Sequence, residues 1–542
     1  MARALATLRG HIRTTLVGAS KNSSWTNFRR TNFRRNKVIM NSHKYDTDDA
    51  LDGLQPETLW QMFATLSSIP RPSFHEGRVI EWLKYFAEER KLSWEQDEAG
   101  NVVIRHPGTM EGSQAPSVII QSHLDMVTEK NDSVEHDFFR DPIKLIRDGD
   151  WLKADGTTLG ADNGLGVACA LAVIDTAVES KDVLLPPIEA LFTVAEETGL
   201  VGAFNLDGTM LTGKTLLNLD TEDWPDIFIG CAGGGDSLLT VTLHAEEAPG
   251  AEAYDIKISG LTGGHSGMDI DKYRGNAVKI AAELAERLLA KNSISIADIQ
   301  GGDKRNAIAR ESTIRIICSS SDASVLQDEL SLWQSEYRQE FGKQEPDLQF
   351  AMEKCDVATR QAIAPADAAR IVALLLGLPH GVIKTSSEME GLVETSNNVA
   401  SIKMVMDNEQ VVATIQCSTR SSIGSALERV RRSIRCVGQG FGAIVEQKEA
   451  YPGWQPQPDA PVVSMCREAI EESSGLRPEL KAIHAGLECG ILGQRIPGVE
   501  CVSFGPTIRG AHSPDERLQI STVKPFWDST LLLLAKLAKT SK

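Results

Sequence analysis

Paired cysteines are the first thing this sequence lacks. Its nine cysteines (Cys169, Cys231, Cys318, Cys355, Cys417, Cys436, Cys466, Cys489 and Cys501) are odd in number, widely spread and never form a CxxC pair. That argues against a disulfide scaffold and a thiolate zinc site, and for a reducing compartment. Any metal must therefore rest on histidine and carboxylate. No apolar run approaches the ~18 residues of a membrane span, so a soluble protein with no membrane partner is expected. Aromatics are few, at 6%, within an ordinary 42% hydrophobic content, and 542 residues suffice for two or more domains with full cores. Basic residues are outnumbered, 56 against 74 acidic. Ten of them fall in residues 1–45, which hold no acid, so the rest of the chain sets 46 basic against 74 acidic residues. That balance disfavours nucleic acid as a partner.

Residues 1–39 are basic, acid-free and rich in Ser, Thr and Asn, with Leu5, Leu8, Ile12 and Leu16 at helical spacing beside Arg3, Arg9 and Arg13. This is the pattern of an organelle-targeting peptide, mitochondrial import included. The plainer reading is a disordered extension from an upstream start, with Met40 as the alternative beginning. Residues 1–45 are read as a basic N-terminal extension, either a targeting peptide or disordered.

Beyond it the pattern becomes regular. Helices are expected near 57–67 and 75–90, and a short strand at 102–105. The apolar run Ser117-Val118-Ile119-Ile120 leads into Gln121-Ser122-His123-Leu124-Asp125. A buried strand that runs into polar residues places them at its carboxyl end, where open α/β sheets hold their sites. The same grammar recurs where strand 188–195 meets Glu196-Glu197, where strand 216–219 meets Asp220, and where strand 499–504 precedes the loop with His512. Asp162 differs, lying on the glycine-flanked turn Gly160-Ala161-Asp162-Asn163-Gly164 before a helix.

Two glycine- and proline-rich breaks, Gly230–Gly235 and Tyr451–Pro458, bracket about 215 residues that carry none of these groups. They read as hinges, dividing the chain into a catalytic domain (residues 51–235 and 451–542) and an inserted lid (residues 236–450). Inside the lid, strand 253–260, helix 274–291, strands 294–299 and 312–318, helix 322–342 and strand 347–353 follow the ferredoxin-like order. A second set follows, with helix 361–378, strands 399–406 and 410–418, helix 424–438 and strand 443–448. The expected fold is α/β: a mixed sheet flanked by helices, plus an inserted α+β lid that is a doubled ferredoxin-like unit.

Hydrolytic zinc sites use imidazole and carboxylate, and two-metal sites add a bridging group between ions about 3.5 to 4 Å apart. His123, Asp162, Glu197, Asp220 and His512 supply two imidazoles and three carboxylates, with Asp162 as the bridge. Asp125 is spaced to accept the other ring N–H of His123. Glu196 is expected to point away from Glu197 and serve as general base. In the lid, His265 on the frame Gly263-Gly264-His265-Ser266-Gly267 could donate to an oxyanion, and Arg420 could clamp a substrate carboxylate. A turn histidine and a surface ion pair are the ordinary alternatives. Gly208–Thr215 fits the P-loop expression GxxxxGK[ST], yet a strand rather than a helix is expected after Lys214, which removes that reading.

Ser122–Val127, Thr157–Gly164, Glu196-Glu197, Asn218–Asp220, Gly263–Gly267, His484–Gly490 and Gly510–Glu516 together resemble the aminoacyl-histidine dipeptidases, from about residue 55 to the end. This is the bacterial peptidase D type, or cytosolic non-specific dipeptidase, related to aminoacylase and carnosinase. Val393–Ser396 and Gly453–Pro456 add to the likeness. The resemblance implies a cytosolic metallo-dipeptidase with two Zn2+ per subunit (Co2+ or Mn2+ as substitutes), cleaving unblocked dipeptides, Xaa-His among them, and admits a homodimer. It implies metal binding by His123, Asp162, Glu197, Asp220 and His512, catalysis by Asp125 and Glu196, and substrate contacts from His265, Asn306 and Arg420. Residues 1–50 have no counterpart in the bacterial pattern, and Met268 stands where a glycine is usual. The rival readings are a deacylase or carboxypeptidase on the same scaffold, and a metal-binding protein without catalysis.

Overall fold

The computed structural model describes residues 48–540 except 181, 249–251, 292, 357–360 and 408; the proposed targeting segment lies outside the described residues. Residues 53–542 cluster as one unit, whose sequence begins with two amphipathic helices. In α1 (Glu57–Ser67) Leu59, Trp60, Phe63 and Leu66 are buried, and in α2 (Gly77–Glu89) Val79, Leu83 and Phe86 are. The i, i+3/i+4 spacing of these residues is what turns one face of each helix inward.

An eight-stranded mixed sheet comes next. In chain order its strands are β1 (Ser93–Gln96), β2 (Val102–His106), β3 (Val118–His123), β4 (Ile188–Thr193), β5 (Thr215–Asn218), β6 (Ile227–Cys231) and, far downstream, β15 (Leu480–Ile483) and β16 (Glu500–Ser503). They lie in the order β1-β2-β4-β3-β5-β16-β6-β15. Strands β4, β3, β5 and β16 run parallel, so their carboxyl ends meet at one edge. Every residue of β3 and β4 is buried, as expected of strands covered on both faces. Burial of Ile119 or Ile120 contributes ~1.5–3 kcal/mol each.

The long helix α3 (Ala161–Glu179) follows the Asp162 turn. By length and composition it could cross a membrane, contrary to the expectation that no run is long enough, but 83% of its apolar window is buried inside the protein. It is a core helix. The glycines and polar residues at its start hid its length in the sequence.

The second sheet is built from β7 (Gly233–Glu247), β8 (Glu252–Ser259), β9 (Ser295–Gly301), β10 (Ser312–Cys318), β11 (Gln349–Cys355), β12 (Val393–Asp407), β13 (Gln410–Ser421) and β14 (Ile444–Glu446). Its helices are α4 (Ala277–Leu289), α5 (Ser320–Phe341), α6 (Pro365–Gly377) and α7 (Gly424–Gly440). Asn276 caps α4 by accepting from the N–H groups of Val278 and Lys279, a contribution of ~1 kcal/mol. The order β11-β8-β10-β9 is that of one ferredoxin-like unit, and β12-β13-β7-β14 that of a second. The two join where Gly301 of β9 faces Ile402 of β12.

The doubling is nested rather than tandem. The second unit opens with β7, a strand the sequence reading missed, and the whole first unit lies between β7 and α6. Residues 361–378 also begin as a strand, Gln361–Ile363, before Pro365 opens the helix.

Gly233–Gly235 are not a hinge loop. They are strand residues of β7, paired with Ser421, Arg420 and Thr419 of β13. The chain passes from β6 to β7 with only Ala232 between, while Cys231 and Gly234 exchange hydrogen bonds with Trp454 and Tyr451. A Cβ on Gly234 would lie 2.5 Å from the Tyr451 ring. These glycines serve close packing, not flexibility.

Candidate metal centre

Each proposed ligand sits at or just past the carboxyl end of a parallel strand, or on a loop facing those ends. His123 ends β3, Asp220 lies two residues past β5, and Glu196 and Glu197 follow β4 through Ala195, which has a positive φ of 48°. Asp162 and Asn163 leave helical geometry at the start of α3 and are joined by a cis peptide bond, and Gly160 before them takes a left-handed φ of 71°. His512, also left-handed at 63°, is on the loop between the paired strands Ile508–Arg509 and Arg517–Gln519.

The fold brings His123, Asp162, Glu196, Glu197, Asp220 and His512 together. His123 Nε2 lies 3.0 Å from Asp162 Oδ1 and 3.3 Å from Asp220 Oδ1. On the other side of Asp162, His512 Nε2 lies 3.2 Å from its Oδ2 and 3.0 Å from Glu197 Oε2. Three overlapping groups of donors result: His123, Asp162 and Asp220; His123, Glu196 and Glu197; Asp162, Glu197 and His512. Among the described residues no cysteine joins them. Asp162 turns one oxygen to each histidine.

Glu196 does not diverge from Glu197 as the sequence reading expected, since one oxygen of each lies within 4.8 Å of the other and of a His123 nitrogen. Asp125 is completely buried. Its carboxylate accepts from Ser73 Oγ at 2.7 Å and from the N–H groups of Glu196 (3.0 Å) and Glu197 (3.2 Å). It lies 3.5 Å from His123 Nδ1, while the main-chain oxygen of Asp125 is nearer, at 3.2 Å. Asp125 thus fixes both the imidazole and the turn that bears the glutamate pair.

Protonation follows from this crowding. Burial pushes Glu196 well above the usual carboxylate range, with the charges of Asp220, Glu488 and Glu197 adding to it. Burial likewise raises Asp220, to about 6. Asp125 is held down at about 2, because its bonds to His123 and Ser73 outweigh its burial. His123 is raised, as the charge of Asp220 and bonds to three aspartates overcome the opposing effect of burial.

The lid residues form a second cluster. His265 pairs with Ala307, and the N–H of Ser266 donates to the main-chain oxygen of Asn306 at 2.8 Å, which places Asn306 beside the histidine loop. Its side chain is exposed. His265 Nδ1 accepts from the N–H groups of Gly267 and Met268 at 3.2 and 3.1 Å, so the proton of its neutral ring is on Nε2. Burial and Arg420 together lower its pKa. Arg420 is buried, makes no ion pair among the described residues, leaves its Nε without a partner and donates to Tyr451 Oη at 3.3 Å. His484, held near 3 by burial and by the charge of Arg420, bonds Ser396 Oγ across the sheets at 2.8 Å. No hydrogen bond or ion pair among the described residues links this cluster to the carboxylate cluster.

Several residues around the centre had no assigned role in the sequence. Asn163 donates to Leu219 O at 2.7 Å and to the Asp220 carboxylate, and Glu488, fully buried, accepts from Gln121 at 2.6 Å and Thr193 at 2.8 Å. Arg71 and Glu516 bind main-chain atoms of the ligand loops. The one sequence signal for Arg71 was a cation between two prolines; for contacts made to main chain, residue spacing carries none. The P-loop reading fails as expected, because Thr215–Asn218 is the strand β5.

Residues 119–534 match the model of Peptidase family M20/M25/M40. The chain belongs to that family, and is a metal-dependent hydrolase of peptide bonds. The cytosol non-specific dipeptidase of Escherichia coli (strain K12) is 38% identical over 488 residues, which cover 90% of this chain and 99% of that protein. Among solved structures, the aminoacylhistidine dipeptidase from Vibrio alginolyticus superposes with a TM-score of 0.80 at 39% identity, covering 89% of this chain and 97% of the other. The aminopeptidase PepT from Bacillus cereus shares the fold, with a TM-score of 0.56 at 17% identity over 90% and 100% of the two chains.

Proposed function

We propose that the protein is a di-zinc dipeptidase that hydrolyses unblocked dipeptides, including those ending in histidine, in the cytosol. The observation that carries this reading is the pair of donor groups that share Asp162, together with a buried Arg420 that has no acidic partner among the described residues. The donor set fits two divalent cations: two imidazoles and three carboxylates, with Glu197 Oε1 buried and lacking any partner among the described residues. In our assignment His123 and Asp220 would hold one ion and Glu197 and His512 the other, with Asp162 shared between them. When bound, the ions polarise the scissile carbonyl and acidify water, the chemistry expected of zinc with nitrogen and oxygen ligands.

The chain's own groups do the rest. Glu196 takes a proton from the attacking water and passes it to the leaving amine, a task that suits a carboxylate whose proton affinity burial has raised. Asp125 holds the His123 ring and the main chain of the glutamate pair. His265 presents Nε2–H to the carbonyl oxygen as charge develops there. Arg420 pairs with the free carboxylate of the substrate, and Asn306 contacts the peptide from the same side. In this reading residues 236–450 act as the lid, and its distance from the strand ends limits the substrate to two residues. The cytosolic location rests on the relative from Escherichia coli.

The test is hydrolysis of a dipeptide panel that includes Xaa-His, set beside an N-acetyl amino acid and a tripeptide, with and without chelator. Chelator-sensitive cleavage confined to dipeptides is expected. Preferred turnover of the acetyl amino acid would make the protein a deacylase.

A further inference from the structure

The structure assigns to Glu516 a positioning role: its carboxylate fastens the loop that carries His512 to the loop that carries Asp162, and so sets the spacing of the outer metal position. The inference rests on the ligand reading above and extends it to a residue outside the ligand set. Glu516 is buried, at 2% exposure, four residues after His512. Its Oε2 accepts from the N–H groups of Leu159 at 2.7 Å and Gly160 at 2.9 Å, and its Oε1 from Ala161 at 2.8 Å and Asp162 at 3.3 Å. Four consecutive amides at the start of α3 converge on one carboxylate, which binds them through charge-assisted bonds and the favourable end of the helix dipole.

From the other side the same turn is gripped by Arg71, also 2% exposed. It donates to Gly160 O at 2.5 Å, to Leu124 O at 2.8 Å and to Asp125 O at 3.0 Å. Glycine is required at position 160, since its φ is +71° and a Cβ would lie 2.6 Å from Arg71 Nη2. Arg71 therefore ties the His123–Asp125 loop to the Asp162 turn, and Glu516 ties that turn to the His512 loop. The dependence is uneven. His123 and Asp220 follow strands of the central sheet, whereas His512 stands on a loop, 57% exposed, whose base is tied past Asp220 by bonds from Ile508 and Arg509 to Glu222 O. Beyond that base, among the described residues, Glu516 and the contacts of His512 itself with Asp162 and Glu197 join it to the ligand cluster.

Glu516→Gln tests this, because an amide offers one acceptor and turns its NH2 toward amides that are themselves donors. Zinc content after dialysis against graded chelator, kcat and KM for a dipeptide, and the Tm of the metal-free proteins are measured for wild type, Glu516→Gln, Glu516→Asp and His512→Ala. At chelator levels that leave wild type with two ions per chain, Glu516→Gln is expected to retain one, as His512→Ala does. Its kcat falls at least tenfold and recovers in excess zinc, with KM changed less than twofold, and Glu516→Asp is intermediate. If Glu516→Gln does not fold, a weaker outer ion in Glu516→Asp supports the inference and wild-type zinc retention there overturns it. Retention of both ions by Glu516→Gln, or loss of both together with a lowered Tm, overturns it in favour of a purely structural cap. Absence of zinc from wild type is a different failure, that of the ligand reading itself.

Discussion

The strand-end cluster and the lid cluster have opposite deficits. At the strand ends, carboxylates crowd within 3.0–3.3 Å of two imidazole nitrogens, an arrangement that calls for cations. In the lid, a buried guanidinium has no acid to pair with among the described residues, an arrangement that calls for an anion. Removing a charge from water without a partner costs several kcal/mol, so each cluster is costly alone, and in the proposed function each is completed by part of one reaction: metal ions at the first, a substrate carboxylate at the second.

The largest expected effect breaks the first cluster without emptying it. Glu196→Ala should lower kcat by ~10²- to 10⁴-fold, the range for loss of a general base, while metal analysis still finds two ions per chain. A fall to one ion would make Glu196 a ligand and reverse the roles given to the glutamate pair.

The next effect belongs to the lid. Arg420→Lys replaces a two-pronged donor with a point charge, and hydrogen bonds to charged groups contribute ~1.5–3 kcal/mol. The preference in kcat/KM for a dipeptide over its C-terminal amide should shrink by roughly tenfold or more, mostly through KM. An unchanged ratio would show that the carboxylate is read elsewhere.

A third change strikes where the two regions join. Gly234 lies opposite Arg420 in the sheet and against the Tyr451 ring that accepts from Arg420. Gly234→Ala forces that ring aside, and overpacking of this kind costs ~1–3 kcal/mol. A lower Tm with weakened amide discrimination is expected, and unaltered values of both would show that Tyr451 moves freely.

The last effect separates the two regions by pH. Burial and then Lys279 depress His380, in the lid, to about 4, and its Nδ1 accepts from Val399 N–H at 3.3 Å. A histidine depressed below its unfolded value of about 6.5 stabilises fully above that pH and loses its contribution as pH falls from 6.5 through 4. The loss should reach about 3 kcal/mol. Urea midpoints of wild type and His380→Gln across that window check it; parallel curves would remove His380 from the account.

The strand ends were legible because apolar runs such as Ile119-Ile120 end abruptly in ligand-type residues, and because those residues fall where parallel strands stop. The lid's helices and most of its strands were legible from periodicity. Strand β7 was not, since Gly233–Gly235 read as a loop when their small size serves contact with Tyr451 and Arg431. The nesting of the two lid units depends on that strand and was lost with it. Arg71 and Glu516 escaped because they act on main-chain atoms of distant loops, a relation that residue spacing does not encode.

Titration of the metal-free protein with zinc, following dipeptide hydrolysis and bound metal together, tests the central claim most directly. Activity should be absent without metal and reach its plateau only as the second ion binds. Full activity in the metal-free chain, or a plateau at one ion, would contradict the two-metal account.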